Sequence, residues 1–198
     1  LEEESGIPFF SRRIGLDDEG EPLTLDAGLK LAGRAGPLSV GVLGVRQDAA
    51  VGQESVDLFV GRIARNVLEE SSVGVIVTSG NPDPHVDNSL AGVDFRYLNT
   101  RLGDNRSIEA TAWYQQTDTE GLSGDASAYG FSFAVPNSDG WNGELIHKAI
   151  EENYFPALGF ASRTDFEATF AGLGYTWRPE NHWIRRVESK IGAEFVDA

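Results

Sequence analysis

Cysteine is missing from all 198 residues, so neither a disulfide nor a thiolate metal site can form. Methionine is missing as well, even at position 1, and the chain reads as a processed or excised piece. No apolar run approaches the roughly 18 residues of a membrane-crossing helix, and no signal peptide shows, which excludes a helical membrane protein. A membrane β-barrel survives that test, because its alternating strands hide from hydropathy. Positive charge is scarce: 16 lysines and arginines stand against 31 aspartates and glutamates, for a net charge of -15 and a pI near 4.5. Such a chain has no net positive field to neutralise phosphates, so nucleic acid is not an expected partner. The three histidines, His85, His147 and His182, are scattered without metal-ligand spacing and read as solvated or lining residues.

What is present is period-2 alternation. In "LTLDAGLKLAGR" one face carries Leu23, Leu25, Ala27, Leu29 and Leu31, and the other Thr24, Asp26, Gly28, Lys30, Ala32 and Arg34. "AGVDFRYL" sets Ala91, Val93, Phe95 and Tyr97 against Gly92, Asp94 and Arg96, and "AYGFSFAV" sets Tyr129, Phe131, Phe133 and Val135 against small residues. "VESKIGAEF" sets Val187, Ser189, Ile191, Ala193 and Phe195 against Glu188, Lys190, Gly192 and Glu194. No stretch holds a helical period with a capping signal. The chain is predicted to be all-β, with about eleven strands near 7–16, 23–34, 38–47, 56–68, 72–79, 90–98, 106–116, 126–135, 141–150, 164–177 and 182–196. Many are longer than the roughly 5–6 residues usual in soluble domains and match the about 9–11 of a tilted membrane strand.

The connections sort by parity. "AGP", "EESS", "TRLGDNR", "PNSDG" and "RPEN" alternate with the mostly longer, acidic or Gly-rich "DDEGEP", "DAAVGQES", "GNPDPHVDNS", "TDTEGLSGD" and "EENYFPALGFASR". Short turns on one side and long loops on the other fit an outer-membrane barrel. Tyr97, Trp141, Trp177 and Trp183 sit beside short turns, as an interfacial girdle would, and Tyr154, Phe155 and Phe160 cluster on the long-loop side. A soluble β-sandwich alternates in the same way, with its apolar face inward, and periodicity alone does not separate the two. With long loops outside, the first strand rises from the periplasm and the eleventh ends on the outer side. Single-chain barrels have even strand numbers, so eleven strands, and an "EFVDA" end without a terminal aromatic, predict the front part of a larger barrel. In "FFSRRIGL" that reading turns Arg13 inward and leaves Arg12 on the lipid side, near a membrane boundary.

The candidate site is a network of charges on the inward faces: Arg13, Asp26, Lys30, Arg34, Arg65, Asp94, Arg96, Glu109, Arg186, Glu188, Lys190 and Glu194. It reads either as a polar conduit that binds or passes a hydrophilic solute, or as an ion network that only fills the interior. The acidic loops offer oxygen ligands for calcium, though none has the spaced calcium-loop pattern, and no metal or cofactor is expected. Glu69–Glu70 and Glu151–Glu152 are adjacent pairs, whereas glycosidase chemistry needs two carboxyls facing each other across a bond. No Gly-x-Ser-x-Gly elbow or phosphate-cradling loop occurs, so the positive case for an enzyme is weak.

The blocks "FFSRRIGL", "LKLAGRAGPLSVGVLGVR", "VGRIARNVLEESSVGVIVT", "GVDFRYLN", "FPALGFASRTDF", "GYTWRPE" and "IRRV", in order through most of the chain, resemble a family of large bacterial outer-membrane proteins. There an N-terminal carbohydrate-binding module, similar to family 9 modules, precedes a C-terminal barrel domain of unknown function. The resemblance implies an antiparallel up-and-down transmembrane barrel in a bacterial outer membrane, with a periplasmic sugar-binding module upstream. It carries over no catalytic residue. Three functions are left open: passage or binding of a hydrophilic solute, with glycans favoured by the resemblance; an assembly anchor with a plugged lumen and protein partners at its loops; and an outer-membrane hydrolase.

Overall fold

The computed structural model describes residues 6–16, 21–48, 55–102, 106–180 and 183–198, with the side chain of Arg13 outside that set. Ten strands follow one another: β1 (Leu25–Ala35), β2 (Leu38–Gln47), β3 (Val56–Val67), β4 (Ser71–Ser79), β5 (Asn88–Asn99), β6 (Ile108–Thr119), β7 (Ser127–Val135), β8 (Gly140–Ile150), β9 (Phe166–Trp177) and β10 (Val187–Asp197). They form one antiparallel up-and-down sheet in sequence order. β1 and β10 are both exposed along their whole length and do not pair with each other, so the sheet is open.

The pairing is staggered in one direction. A single register row runs Gly33, Val40, Ile63, Val75, Val93, Tyr114, Tyr129, Ala149, Glu167 and Asp197. It starts near the short-turn end of β1 and finishes at the long-loop end of β10. A steady stagger of this kind goes with strands that are tilted across the sheet.

The predicted first strand is corrected. Residues 7–16 form a strap rather than a strand, with a 3-10 turn at Ser11–Arg13 closed by the Ile14 N–H donating to the Ser11 carbonyl at 3.2 Å. Pro8 lacks an N–H for a ladder, and Gly6 and Gly15 take φ of 81° and 79°, which bends the chain at both ends of the segment. The strap instead pairs with the β8–β9 loop, where Ile7 and Phe160 exchange backbone hydrogen bonds of 2.9 and 2.8 Å. Arg12 is exposed on the turn and belongs to neither sheet face. Among the described residues the strand count is therefore even. Both ends of the sheet lie on the long-loop side, and the odd count no longer argues for further strands.

The alternation of the other segments is as the pattern predicts. Val93, Phe95, Phe131, Phe133, Leu173 and Ile191 share one exposed face. Gly92, Asp94, Ser132 and Lys190 share the opposite, inner face. That inner face has two halves. Toward the long loops it is apolar: Leu58, Val60, Ile76, Leu90, Ala128 and Ile150 form a core with Tyr154 and Leu158 of the β8–β9 loop, and Phe9, Ile14 and Trp113 pack against it. Each large side chain fully buried there contributes on the order of 1.5–3 kcal/mol. Toward the short turns the inner face is polar and charged.

Candidate functional site

The charged half is built strand by strand from alternate residues. Arg62 on β3 reaches Asp94 on β5 with two contacts, 2.9 and 2.8 Å, across the intervening β4. The position it crosses is Gly74, where a Cβ would lie 2.7–2.9 Å from the Asp94 oxygens and the Arg62 Nη2. Only a residue without a side chain leaves that path open. One step toward the turns, the Arg96 Nε and Nη2 both donate to Glu109 Oε1, at 3.0 and 2.8 Å. Thr111 and Ser132 share a 2.7 Å hydroxyl bond, and the Asn142 amide donates to Thr176 at 3.3 Å. At the far edge Glu188 binds Arg186 and, at 2.8 Å, Lys190. Both sides of these ion pairs keep a large part of their side chains in solvent, so each pair contributes little to stability on its own.

The predicted residues distribute as follows. Asp94, Arg96, Glu109, Glu188, Lys190 and Glu194 stand on the inner face of β5, β6 and β10, and Lys30 and Arg34 on that of β1. Arg186 precedes β10 and joins Glu188. Asp26 sits at a register shift between Leu25 and Ala27. Arg65 is a correction: it pairs with Leu38 and Val73 and lies on the outer face. Arg62 is the inward arginine of that strand. Leu58 and Val60 enter the covered core while Phe59 between them is exposed on the outer face, so three apolar residues in a row erase the alternation that would have fixed the parity of β3. The Arg13 backbone is in the 3-10 turn and its side chain lies outside the described residues, as does His182.

The apolar half is closed by anchors that the pattern of charges did not reveal. Asn88, 5 % exposed, donates to Thr119 and to the Phe155 carbonyl, both at 2.8 Å, and accepts from the Ala157 N–H. Gln115 donates to the Gly6 carbonyl at 3.1 Å and accepts from the Tyr154 hydroxyl. Gln47 accepts from the Gly15 N–H at 2.7 Å. These buried amides satisfy the backbone of the strap and of the β8–β9 loop, which no ladder serves. Burial pushes the Tyr154 phenol well above its ordinary pKa. Of the aromatics on the long-loop side, Tyr154 faces inward beside Leu158, whereas Phe155 and Phe160 stay partly exposed. The only signal in the sequence was buried-type amides among apolar strand residues.

No protein-family model, curated protein or solved structure matches the chain.

The remaining side chains fill structural places. Glu70 accepts from the Thr100 hydroxyl and N–H at 2.7 and 2.8 Å, which lowers its pKa, and Glu69 pairs with Arg101 at 2.7 Å, so that carboxylate pair ties two short turns together. Glu151 accepts from the Ser127 N–H at 2.6 Å. His147 is on the outer face, stacked on Phe131 at 5.2 Å and bonded to Thr169. His85 lies in the acidic 80–87 loop, where its N–H is held by Asp83. Among the described residues, no three His, Asp or Glu side chains converge as a metal site, and no helix is long and apolar enough to cross a membrane.

Proposed function

We propose that the ten strands are part of the wall of a transmembrane β-barrel in a bacterial outer membrane, its lumen serving to bind or pass a hydrophilic solute. The observation that carries this reading is the outer face. Exposed Val, Phe, Leu and Ile side chains run from β1 to β10 without a covering layer. Arg46, Asp57, Ser79, Ser89 and Asp118 bound them on the long-loop side. Trp141, Tyr175 and Trp177 bound them on the turn side, the first two in edge contact at 5.1 Å. Such a belt fits lipid flanked by an aromatic margin, and the stagger of the strands fits barrel tilt. The open edges of β1 and β10 are where closing strands would pair, which supports a larger barrel. The inner face offers hydrogen-bonding and charged groups at the turn side, and a constriction of strap and loop at the other.

The anchor reading, with a plugged lumen, draws on the same constriction. The two separate on conductance: steady current across a planar bilayer favours the conduit, and its absence favours the anchor. The membrane reading has its own test. With no native cysteine, Val75→Cys, Phe133→Cys and Leu173→Cys each place one label on the outer face. In lipid vesicles brominated acyl chains should quench these labels and aqueous iodide should not, while a Ser132→Cys label shows the reverse. A chain that stays folded and monodisperse in detergent-free buffer overturns the membrane assignment.

A further inference from the structure

We propose that the inner wall carries a two-station binding track for a linear neutral oligosaccharide, with the rings of Trp113 and Phe170 as the stations; this rests on the solute-binding reading above and names the solute class. Each ring lies down over glycine. The distal edge of Phe170 overlies Gly172 and Gly192, which pair directly across β9 and β10, its ring carbons 3.1 Å from where each Cβ would stand. The indole of Trp113 overlies Gly130 in the same way, at 3.0 Å. A ring held low against a bare strand keeps its body in reach of a ligand travelling along the wall.

Each ring borders a separate cavity. Trp113 lines a space of about 330 Å³ beneath the strap with Arg62, Asp94, Gln115 and Lys148. Phe170 lines one of about 380 Å³ with Asn142, Glu144, Arg186, Glu188 and Lys190. A pyranose has an apolar face of C–H groups and an edge of hydroxyls, each both donor and acceptor. An aromatic platform bordered by carboxylates, amides and cations matches both features, and the mixed charge of the borders favours no net charge on the ligand. A small hydrophobic ligand would make no use of the carboxylates, amides and cations at the borders, and an inorganic anion would leave the rings unused.

The stations also have a workable spacing. Trp113 shares a register row with Gly130, Lys148 and Ala168, and Phe170 lies one inward position from Ala168. Three strand spacings and one two-residue step put the α-carbons of the two residues roughly 16 Å apart. Ser132 and Lys148 stand on the inner face of the strands between them. That distance is spanned by a short oligosaccharide and by no monosaccharide.

The test is equilibrium binding by tryptophan fluorescence on the full chain in detergent micelles, using maltohexaose, cellohexaose and chitohexaose, with the matching monosaccharides alongside. At least one hexaose should bind saturably, at least tenfold more tightly than its monosaccharide. Phe170→Ala, which keeps all four tryptophans as reporters, should weaken that binding about tenfold, while Phe170→Tyr restores it. Phe59→Ala, a ring over Gly61 on the outer face, should leave binding unchanged. Unchanged far-ultraviolet circular dichroism identifies variants that have folded. No binding by any hexaose, or equal loss from Phe59→Ala and Phe170→Ala, overturns the track. Lipid insertion and bilayer current are read separately, so a failed track leaves the solute-conduit reading standing, whereas failed insertion removes both.

Discussion

The two halves of the inner wall are made by the same strands and behave oppositely. Near the long loops, β3 to β8 place Leu58, Val60, Ile76, Leu90 and Ile150 inward, and the strap and the β8–β9 loop cover them. Near the short turns the same strands place Arg62, Asp94, Arg96, Glu109 and Ser132 inward. The first half is held by buried apolar area and a few amides whose bonds leave no spare partners. The second is held by the strand ladder alone, with its ion pairs half in solvent. The difference teaches where stability resides and where a solute can compete for contacts.

Substitutions can break that contrast, beginning with the largest effect. Tyr154→Ala removes a ring that is 2 % exposed at the centre of the covered half, and should cost about 3–5 kcal/mol in urea unfolding from detergent. Tyr154→Phe keeps the ring, loses only the bond to Gln115, and should cost about 0.5–1.5 kcal/mol. A loss from Tyr154→Ala no greater than from Tyr154→Phe would mean that the loop does not seal the wall. Next, Gly74→Val should part Arg62 from Asp94 and cost about 1–3 kcal/mol. Gly28→Val, on β1 with nothing within 4 Å, should be close to neutral. Equal costs at both positions would point to backbone effects instead of the blocked ion-pair path.

Two smaller effects sharpen the charged side. A double-mutant cycle on Arg62→Met and Asp94→Asn should give a coupling of no more than about 1 kcal/mol, since both side chains remain partly exposed. Coupling of several kcal/mol would show that the pair is desolvated. Glu70 has a lowered pKa in the fold, first through the Thr100 hydroxyl and then its N–H. Its contribution is therefore present above the ordinary value of 4.5 and is lost as pH falls through the lower folded value. Glu70→Gln should flatten that part of the stability–pH curve by lowering the neutral-pH plateau slightly toward the acid value.

How much of this was legible follows the same division. Where one face meets water and the other is apolar, in β5, β7 and β10, the alternation placed every residue on its observed side. In β3 the buried Leu58 and Val60 flank the exposed Phe59, so the pattern points to Arg65 as the inward arginine where the structure has Arg62. The segment 7–16 looked like a strand because it is apolar and short of polar breaks. Pro8 and the positive φ of Gly6 and Gly15 decide otherwise, and only the tertiary partner at Phe160 shows what the segment does. Amides such as Asn88 and Gln115 carry no spacing signature, since their partners lie far along the chain.

The strap leads to a consequence in time. Its partners, Leu158 and Phe160, are synthesised long after Ile7 and Phe10 and belong to a loop that exists only once β8 and β9 have met. Contacts between such distant parts of a chain form late, because the intervening segment must be ordered first. The first described residues to emerge are therefore among the last to settle, and their docking is a natural end point for assembly. A probe on the strap would report completion of the fold, when probes on any hairpin would already have fallen silent.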